Sequence, residues 1–307
     1  MLMEKIKILL FYKFVNIKNP SDFIEKHLAF CKTLKIFGKV LVGTEGINGS
    51  ISGTKEQIEK YKGSLRKDKR FSDVVFKEES GESHPFTRIS VKERDEIISI
   101  GKKINMKKTG KYISPEEFLN LYDEDDGNLL ILDARNDYEW KVGKFKNSLT
   151  SDIKTFREFP KFVDSIKDKK DKKIVMYCTG GIRCEKASSY MIQQGFKNVK
   201  QLHGGIITFC QKFPNTVWNG KCFVFDKRLI SHINEDGKSI SRCYLCDSSC
   251  DLYRNCKNKK CDKFVIMCLD CEKKMNACCT DNCLREFRKQ CSEKSFLKQG
   301  RRMSLVN

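Results

Sequence analysis

Ile174-Val175-Met176-Tyr177-Cys178-Thr179-Gly180-Gly181-Ile182-Arg183-Cys184-Glu185-Lys186-Ala187 reads as a buried apolar strand that delivers one cysteine into a glycine-rich turn, with a helix beginning near Cys184. The backbone N–H groups of Thr179 to Arg183 can converge on one point, and the helix adds its positive end. Both favour a sulfur anion at Cys178. Gly180 and Gly181 permit the close backbone approach that such a loop needs, and Arg183 supplies permanent charge. A structural cysteine before a glycine turn is the competing reading, opposed by the loop's length and its upstream context.

Loop length separates chemistries. Phosphatase loops of the tyrosine type place five residues between cysteine and arginine, whereas only Thr179, Gly180, Gly181 and Ile182 separate Cys178 from Arg183, and Cys184 stands where a phosphatase needs its arginine. The shorter loop resembles that of the rhodanese family, sized for a sulfur species. Leu129-Leu130-Ile131-Leu132-Asp133-Ala134-Arg135, Asp137-Tyr138-Glu139-Trp140 and Val142-Gly143-Lys144-Phe145 resemble the same family's Asp-x-Arg, Tyr-Glu and Gly-x-Phe series, and Leu202-His203-Gly204-Gly205-Ile206 its last strand and turn. Lys144 and Asn147 depart from it, standing where histidine and glycine are frequent. Asp133 and Arg135 read as a structural ion pair at a strand end, with a helper role in catalysis as the alternative.

The whole chain resembles a narrower family, the bacterial tRNA uridine hydroxylases with a central rhodanese domain. Tyr12-Lys13-Phe14, Phe30-Cys31-Lys32 and Glu45-Gly46-Ile47-Asn48-Gly49 carry that likeness at the N-terminus, Cys178 to Ala187 in the centre, and Gly220-Lys221-Cys222-Phe223-Val224-Phe225-Asp226 beyond it. The resemblance implies an oxidoreductase of cytoplasmic tRNA modification, hydroxylating the wobble uridine (position 34) to 5-hydroxyuridine with molecular oxygen as substrate, Cys178 as the catalytic residue and the tRNA anticodon region as partner.

The 307 residues allow two or three domains, and 39% hydrophobic content suffices for ordinary cores. Ile6 to Phe14 is apolar but short, carries charge and precedes no small-residue cleavage site. Neither a signal peptide nor a membrane span is therefore expected, and the cytoplasm is the expected compartment. The net charge of +20 comes largely from lysine, 46 of the 60 basic residues, which an AT-rich genome would also give. Its distribution is uneven: +9 over residues 1–110, +3 over 111–220 and +8 over 221–307. Basic flanks around a central catalytic domain suit a polyanionic substrate larger than the active site.

The expected architecture is α/β and α+β multidomain. Residues 1–80 alternate as βαββαβ, with strands near 6–14, 38–43, 47–52 and 73–77 and helices after Pro20-Ser21-Asp22 and Gly53-Thr54. They predict a ferredoxin-like (acylphosphatase-like) domain, with Ser21 as a helix N-cap and Cys31 in the core. Gly43 to Ser50 reads as a hairpin turn, or as backbone N–H groups presented to phosphate or to the central pocket. Residues 81–110 read as a linker with one strand near 87–92 and a solvated basic run, Lys102 to Lys108. A rhodanese domain with a parallel sheet spans 111–215, and a Cys-rich zinc-binding segment with a basic tail spans 216–307.

Eleven of the sixteen cysteines lie between Cys243 and Cys291, a concentration that metal binding explains better than a disulfide scaffold. Cys243-Tyr244-Leu245-Cys246 and Cys268-Leu269-Asp270-Cys271 are two knuckles 21 residues apart, near zinc-ribbon spacing, and predict a closed structural site. Cys250 and Cys278 lie among further cysteines from which Cys256, Cys261, Cys279 and Cys283 are chosen as a second site. Free or redox-active thiols are the alternative. The tail from Leu284, with Arg285, Arg288, Lys289, Arg301 and Arg302, extends an RNA surface or is disordered.

From chemistry alone Cys178 is either a persulfide carrier or a nucleophile toward electrophilic carbon. No flavin, haem or nicotinamide motif is visible, and His27, His84, His203 and His232 are too scattered for an iron triad. A rhodanese-type thiosulfate or persulfide sulfurtransferase and a noncatalytic zinc-bearing RNA-binding module stay as rival readings. Cys184 reads either as a resolving thiol or as a buried helix residue, and the oligomeric state is not legible.

Overall fold

The computed structural model describes residues 5–125, 127–231, 233 and 237–303, with side chains as far as Ser292; His232 and the side chains of Arg301 and Arg302 lie outside the described residues. The N-terminal part runs β1 (Ile6–Phe14), α1 (Pro20–Thr33), β2 (Phe37–Gly43), β3 (Gly46–Gly53), α2 (Lys55–Lys67), β4 (Phe76–Gly81) and β5 (Ile89–Glu93). Its sheet has the order β4-β1-β3-β2-β5. β5 adds parallel to β2 at the edge.

Period-two alternation splits β1 between two faces. Leu9 and Phe11 join Val40, Ile47 and Ile51 in a core covered by Ile58, Tyr61 and Leu65 of α2 and Cys31 of α1. Leu10 and Tyr12 point to the other face.

Two expectations shift here. Asn19, not Ser21, caps α1, accepting the Asp22 N–H at 3.2 Å, because Pro20 has no N–H and fits the first helical position. Ser21 instead donates to Glu93 at 2.8 Å. β4 begins at Phe76 rather than near 73, because Asp68 accepts the Arg70 N–H at 3.0 Å and holds a short 3-10 turn over Lys69–Phe71. The resulting register pairs Lys77 with Leu10 and Glu79 with Ile8, so both charged side chains share the helix-free face.

The central part runs β6 (Lys111–Ile113), α3 (Pro115–Asp123), β7 (Leu129–Asp133), α4 (Asp137–Trp140), β8 (Gly143–Phe145), α5 (Phe159–Ser165), β9 (Lys173–Tyr177), α6 (Ile182–Gln193), β10 (Asn198–Leu202) and α7 (Gly205–Lys212). Strands β6-β10-β9-β7 form a parallel sheet. Ile174 and Met176 of β9 pack toward Phe159, Ala187 and Met191; Val175 and Tyr177 face Phe118, Ile206 and Phe209. Burial on both faces is why β9 reads as a continuous apolar run. α6 starts at Ile182, two residues before the expected position, which places the N–H groups of Arg183 and Cys184 in its unpaired first turn.

The chain continues through β11 (Trp218–Gly220), paired with β8, then β12 (Cys222–Phe223), β13 (Ile230–Ser231), β14 (Tyr253–Asn255), β15 (Phe264–Ile266), α8 (Leu269–Lys274) and α9 (Asp281–Met303). The tail with Arg285, Arg288 and Lys289 is thus helical. A small core of Phe223, Tyr253, Val265, Met267 and buried cysteines, Cys250 and Cys278 among them, supports this part. No helix among the described residues is long and apolar enough to cross a membrane.

Candidate active site

Strand β9 ends by burying Cys178 completely, and the chain then curls round its sulfur. The Gly181 N–H donates to Cys178 Sγ at 3.1 Å. Burial opposes ionisation of this thiol. The Cys184 thiol, the Arg183 charge and the N–H groups of Arg183 and Cys184 together outweigh it and draw Cys178 down to about 5. Burial and the neighbouring Cys178 sulfur push Cys184 the other way, well above the ordinary thiol range. The loop therefore holds one thiolate beside one thiol at neutral pH.

Gly181 has φ +101°, and a Cβ there would also meet Tyr12 Oη at 2.9 Å. A Cβ on Gly180 would stand 2.8 Å from Leu10 Cδ2. Both glycines are required by the N-terminal sheet pressed against the loop as well as by the loop's curvature.

Arg183 is only 5% exposed and pairs with Glu139 through both nitrogens, Nη1 to Oε2 at 2.5 Å and Nη2 to Oε1 at 2.7 Å. It also donates to Thr179 Oγ1 at 3.3 Å and lies 5.7 Å from the Phe225 ring. Asp133 and Arg135 form a second, fully buried pair: Arg135 Nη2 reaches Asp133 Oδ2 at 2.7 Å and the Gly143 carbonyl at 2.6 Å, while Tyr177 donates to Asp133 at 2.6 Å. This network ties β7, β8 and β9 together and does not line the cavity.

That cavity, about 420 Å³, is enclosed by all three parts of the chain. The helix-free face of the N-terminal sheet supplies Leu10, Tyr12, Lys77 and Glu79; the central loop supplies Cys178 to Gly180, Ile182 and Arg183; Phe225 and Arg228 come from the segment after β12. Tyr12 donates to Glu185 of α6 at 3.1 Å, Tyr112 donates to the same oxygen, and Gln201 donates to the other at 3.3 Å. Lys186 reaches Glu45 of the β2–β3 hairpin at 2.8 Å and Glu96 at 2.7 Å. Gly43 to Ser50 is thus a hairpin whose Glu45 side chain docks on α6, while Asn48, Gly49 and Ser50 line the cavity.

Reading the sequence alone misses Lys77, Glu79, Phe225 and Arg228 as cavity residues. One signal was available. Leu10 and Tyr12 alternate with Leu9 and Phe11, so β1 is apolar on both faces, as a strand covered on both sides is.

The C-terminal cysteines gather into the two chosen sets, Cys243, Cys246, Cys268, Cys271 and Cys256, Cys261, Cys279, Cys283, each with sulfurs within 4.8 Å of one another. Sulfur separations of 3.7 Å (Cys246 to Cys268, Cys261 to Cys279) and 3.8 Å (Cys279 to Cys283) match the edge of a tetrahedron with zinc–sulfur bonds of about 2.3 Å. Both donor sets fit a structural zinc.

Three family models match the chain: UPF0176 acylphosphatase like domain over residues 6–97, Rhodanese-like domain over 114–212 and Rhodanase C-terminal over 219–284. A protein of Bacillus licheniformis named tRNA uridine(34) hydroxylase is 40% identical over 91% of this chain and 88% of its own length. Proteins of the same name from Staphylococcus epidermidis and Staphylococcus aureus are each 42% identical over 92% of this chain and 90% of theirs. With a thiolate loop of four-residue spacing at its centre and a match running nearly end to end, the chain belongs to the tRNA uridine(34) hydroxylase family.

Proposed function

We propose that this chain hydroxylates uridine 34, the wobble base of tRNA, to 5-hydroxyuridine, with molecular oxygen as the oxygen source and Cys178 as nucleophile. The observation that carries the reading is a buried, low-pKa thiolate facing a cavity of about 420 Å³, of a size to take a single flipped-out nucleotide base. A wobble base is already single-stranded, so drawing it out of its stack costs little. The exposed Lys39 and Arg94 at the cavity wall suit flanking phosphates of the anticodon loop.

In this reading Cys178 adds to C6 of the uracil, and the electron pair of the C5–C6 bond moves to C5 and O4. C5 takes up O2 as a hydroperoxide. A reductant of the thiol class then supplies two electrons, one oxygen leaves as water, and loss of the C5 proton expels Cys178. The loop N–H groups hold the sulfur charge before and after. The two four-cysteine sets would each hold a zinc, closed and structural, that folds the C-terminal part around the cavity wall.

The test is mass spectrometry of tRNA nucleosides from a strain lacking the gene. Loss of 5-hydroxyuridine and its derivatives is expected; an unchanged content overturns the proposal. The loop's N–H ring also suits a persulfide, which favours a sulfurtransferase as the second reading. Rapid cyanide-dependent thiocyanate formation without any change in tRNA nucleosides would select it.

A further inference from the structure

The cavity contains a buried cation for which the loop chemistry gives no use. Lys77 of β4 is 6% exposed, and its ammonium lies 5.1 Å from the centre of the Tyr12 ring. Its stem passes 3.8 Å from where a Cβ of Gly180 would stand, which sets it against the loop that holds Cys178. Among the described residues no carboxylate comes within ion-pair distance of it. Glu78 is taken by Lys62, Glu79 by Arg228, and Glu185 by Tyr12, Tyr112 and Gln201.

The other cations around the cavity differ. Arg183 is balanced by Glu139, and Arg228 by Glu79 and Asp226. Lys39 and Arg94 are exposed. An ammonium buried without an ion-pair partner is costly; the Tyr12 ring and the more distant Glu185 offset part of that cost, and an anion inside the cavity offsets more. Cys178 is one such anion, and the reaction generates another.

We infer that Lys77 is a further catalytic residue, whose Nζ donates a hydrogen bond to the carbonyl oxygen of the base that gains charge when Cys178 adds to the ring. The inference rests on the hydroxylase reading. In the step concerned the Sγ–C6 bond forms, the C5–C6 π bond breaks, and its electron pair is delocalised onto O4. Lys77 stabilises that charge and keeps its proton, so nothing is gained or lost at the amine over the step.

The geometry requires a charged amine at working pH. Burial draws the Lys77 ammonium down to about 8, while Cys178 and Glu185, the anionic groups facing it from the loop and α6, hold it up. Tyr12, facing it from β1, stays neutral because burial raises its phenol far above the ordinary range.

The test uses the purified full-length chain and its Lys77→Ala and Lys77→Arg variants on unmodified tRNA with O2 and a thiol reductant, with and without added ethylammonium. Formation of 5-hydroxyuridine in a single turnover should fall about 100-fold in Lys77→Ala, the usual scale for losing one such donor, and ethylammonium should restore roughly tenfold or more. Lys77→Arg should lie between. A Lys77→Ala variant within about threefold of wild type overturns the inference while leaving the hydroxylase reading intact. So does a loss that ethylammonium does not restore, accompanied by a shifted pH midpoint for Cys178 alkylation, since Lys77 would then only be supporting the loop. A wild type that makes no 5-hydroxyuridine overturns the functional reading, and the role of Lys77 with it.

Discussion

Arg183 and Glu139 close a buried two-point ion pair across the candidate active site, the arginine from the first turn of α6 and the carboxylate from α4. The arginine that reads in the sequence as the loop's free positive charge is therefore balanced. Its field still lowers the Cys178 pKa, behind the Cys184 thiol in effect. Its geometry serves chiefly to hold the loop to α4 and, through the Phe225 ring, to the C-terminal wall.

Removing one member of such a pair leaves an uncompensated buried charge. Glu139→Gln is expected to lower unfolding stability by about 3–5 kcal/mol, measured by denaturant titration. A cost below about 1 kcal/mol, the scale of an exposed pair, would contradict the pairing.

The alkylation rate of Cys178 by iodoacetamide should fall as pH drops, with a midpoint near 5, and stay flat through neutrality. Folding stability should follow the same group. Its folded pKa is depressed below that of a free thiol, so the contribution is full above the unfolded value and is lost as pH falls through about 5. Comparing wild type with Cys178→Ala across that window isolates it; parallel stability curves would contradict the assignment.

Gly181→Ala combines an unfavourable φ with contact against Tyr12. A stability loss of about 1–3 kcal/mol is expected, together with a rise in the Cys178 alkylation midpoint as its N–H donor moves. Circular dichroism melts and the alkylation profile read the two effects separately. An unchanged midpoint would mean that the Gly181 N–H is not what holds the sulfur.

Much of this site is legible in the chain because its parts are local. The strand, loop and helix from Ile174 to Ala187 carry their own periodicity and glycines, and the knuckles at Cys243 and Cys268 carry metal-ligand spacing. What is not legible depends on docking. Lys77 looks like an ordinary strand lysine until the Asp68 turn fixes the register of β4 and the helix-free face of the sheet meets the loop. Glu139 reads as part of a family series, and its pairing with Arg183 is set by tertiary packing alone. Ser21 failed as a cap for a local reason: the cap precedes the proline.

Metal content offers a further check. One zinc is expected for each of the two four-cysteine sets, and Cys246→Ser should lose one of them. Tyr253 of this part donates to the Tyr138 carbonyl, one residue from Glu139. Chelation should therefore abolish tRNA hydroxylation, and zinc should restore it. Full activity in a metal-free chain would contradict a structural role.

The central claim is that the Cys178 thiolate attacks the base. The most direct measurement incubates unmodified tRNA and a thiol reductant with purified wild type or Cys178→Ala under 18O2 and analyses the nucleosides by mass spectrometry. The expected result is 5-hydroxyuridine carrying one 18O with wild type and none with Cys178→Ala. Labelled 5-hydroxyuridine formed at the wild-type rate by Cys178→Ala would contradict the account.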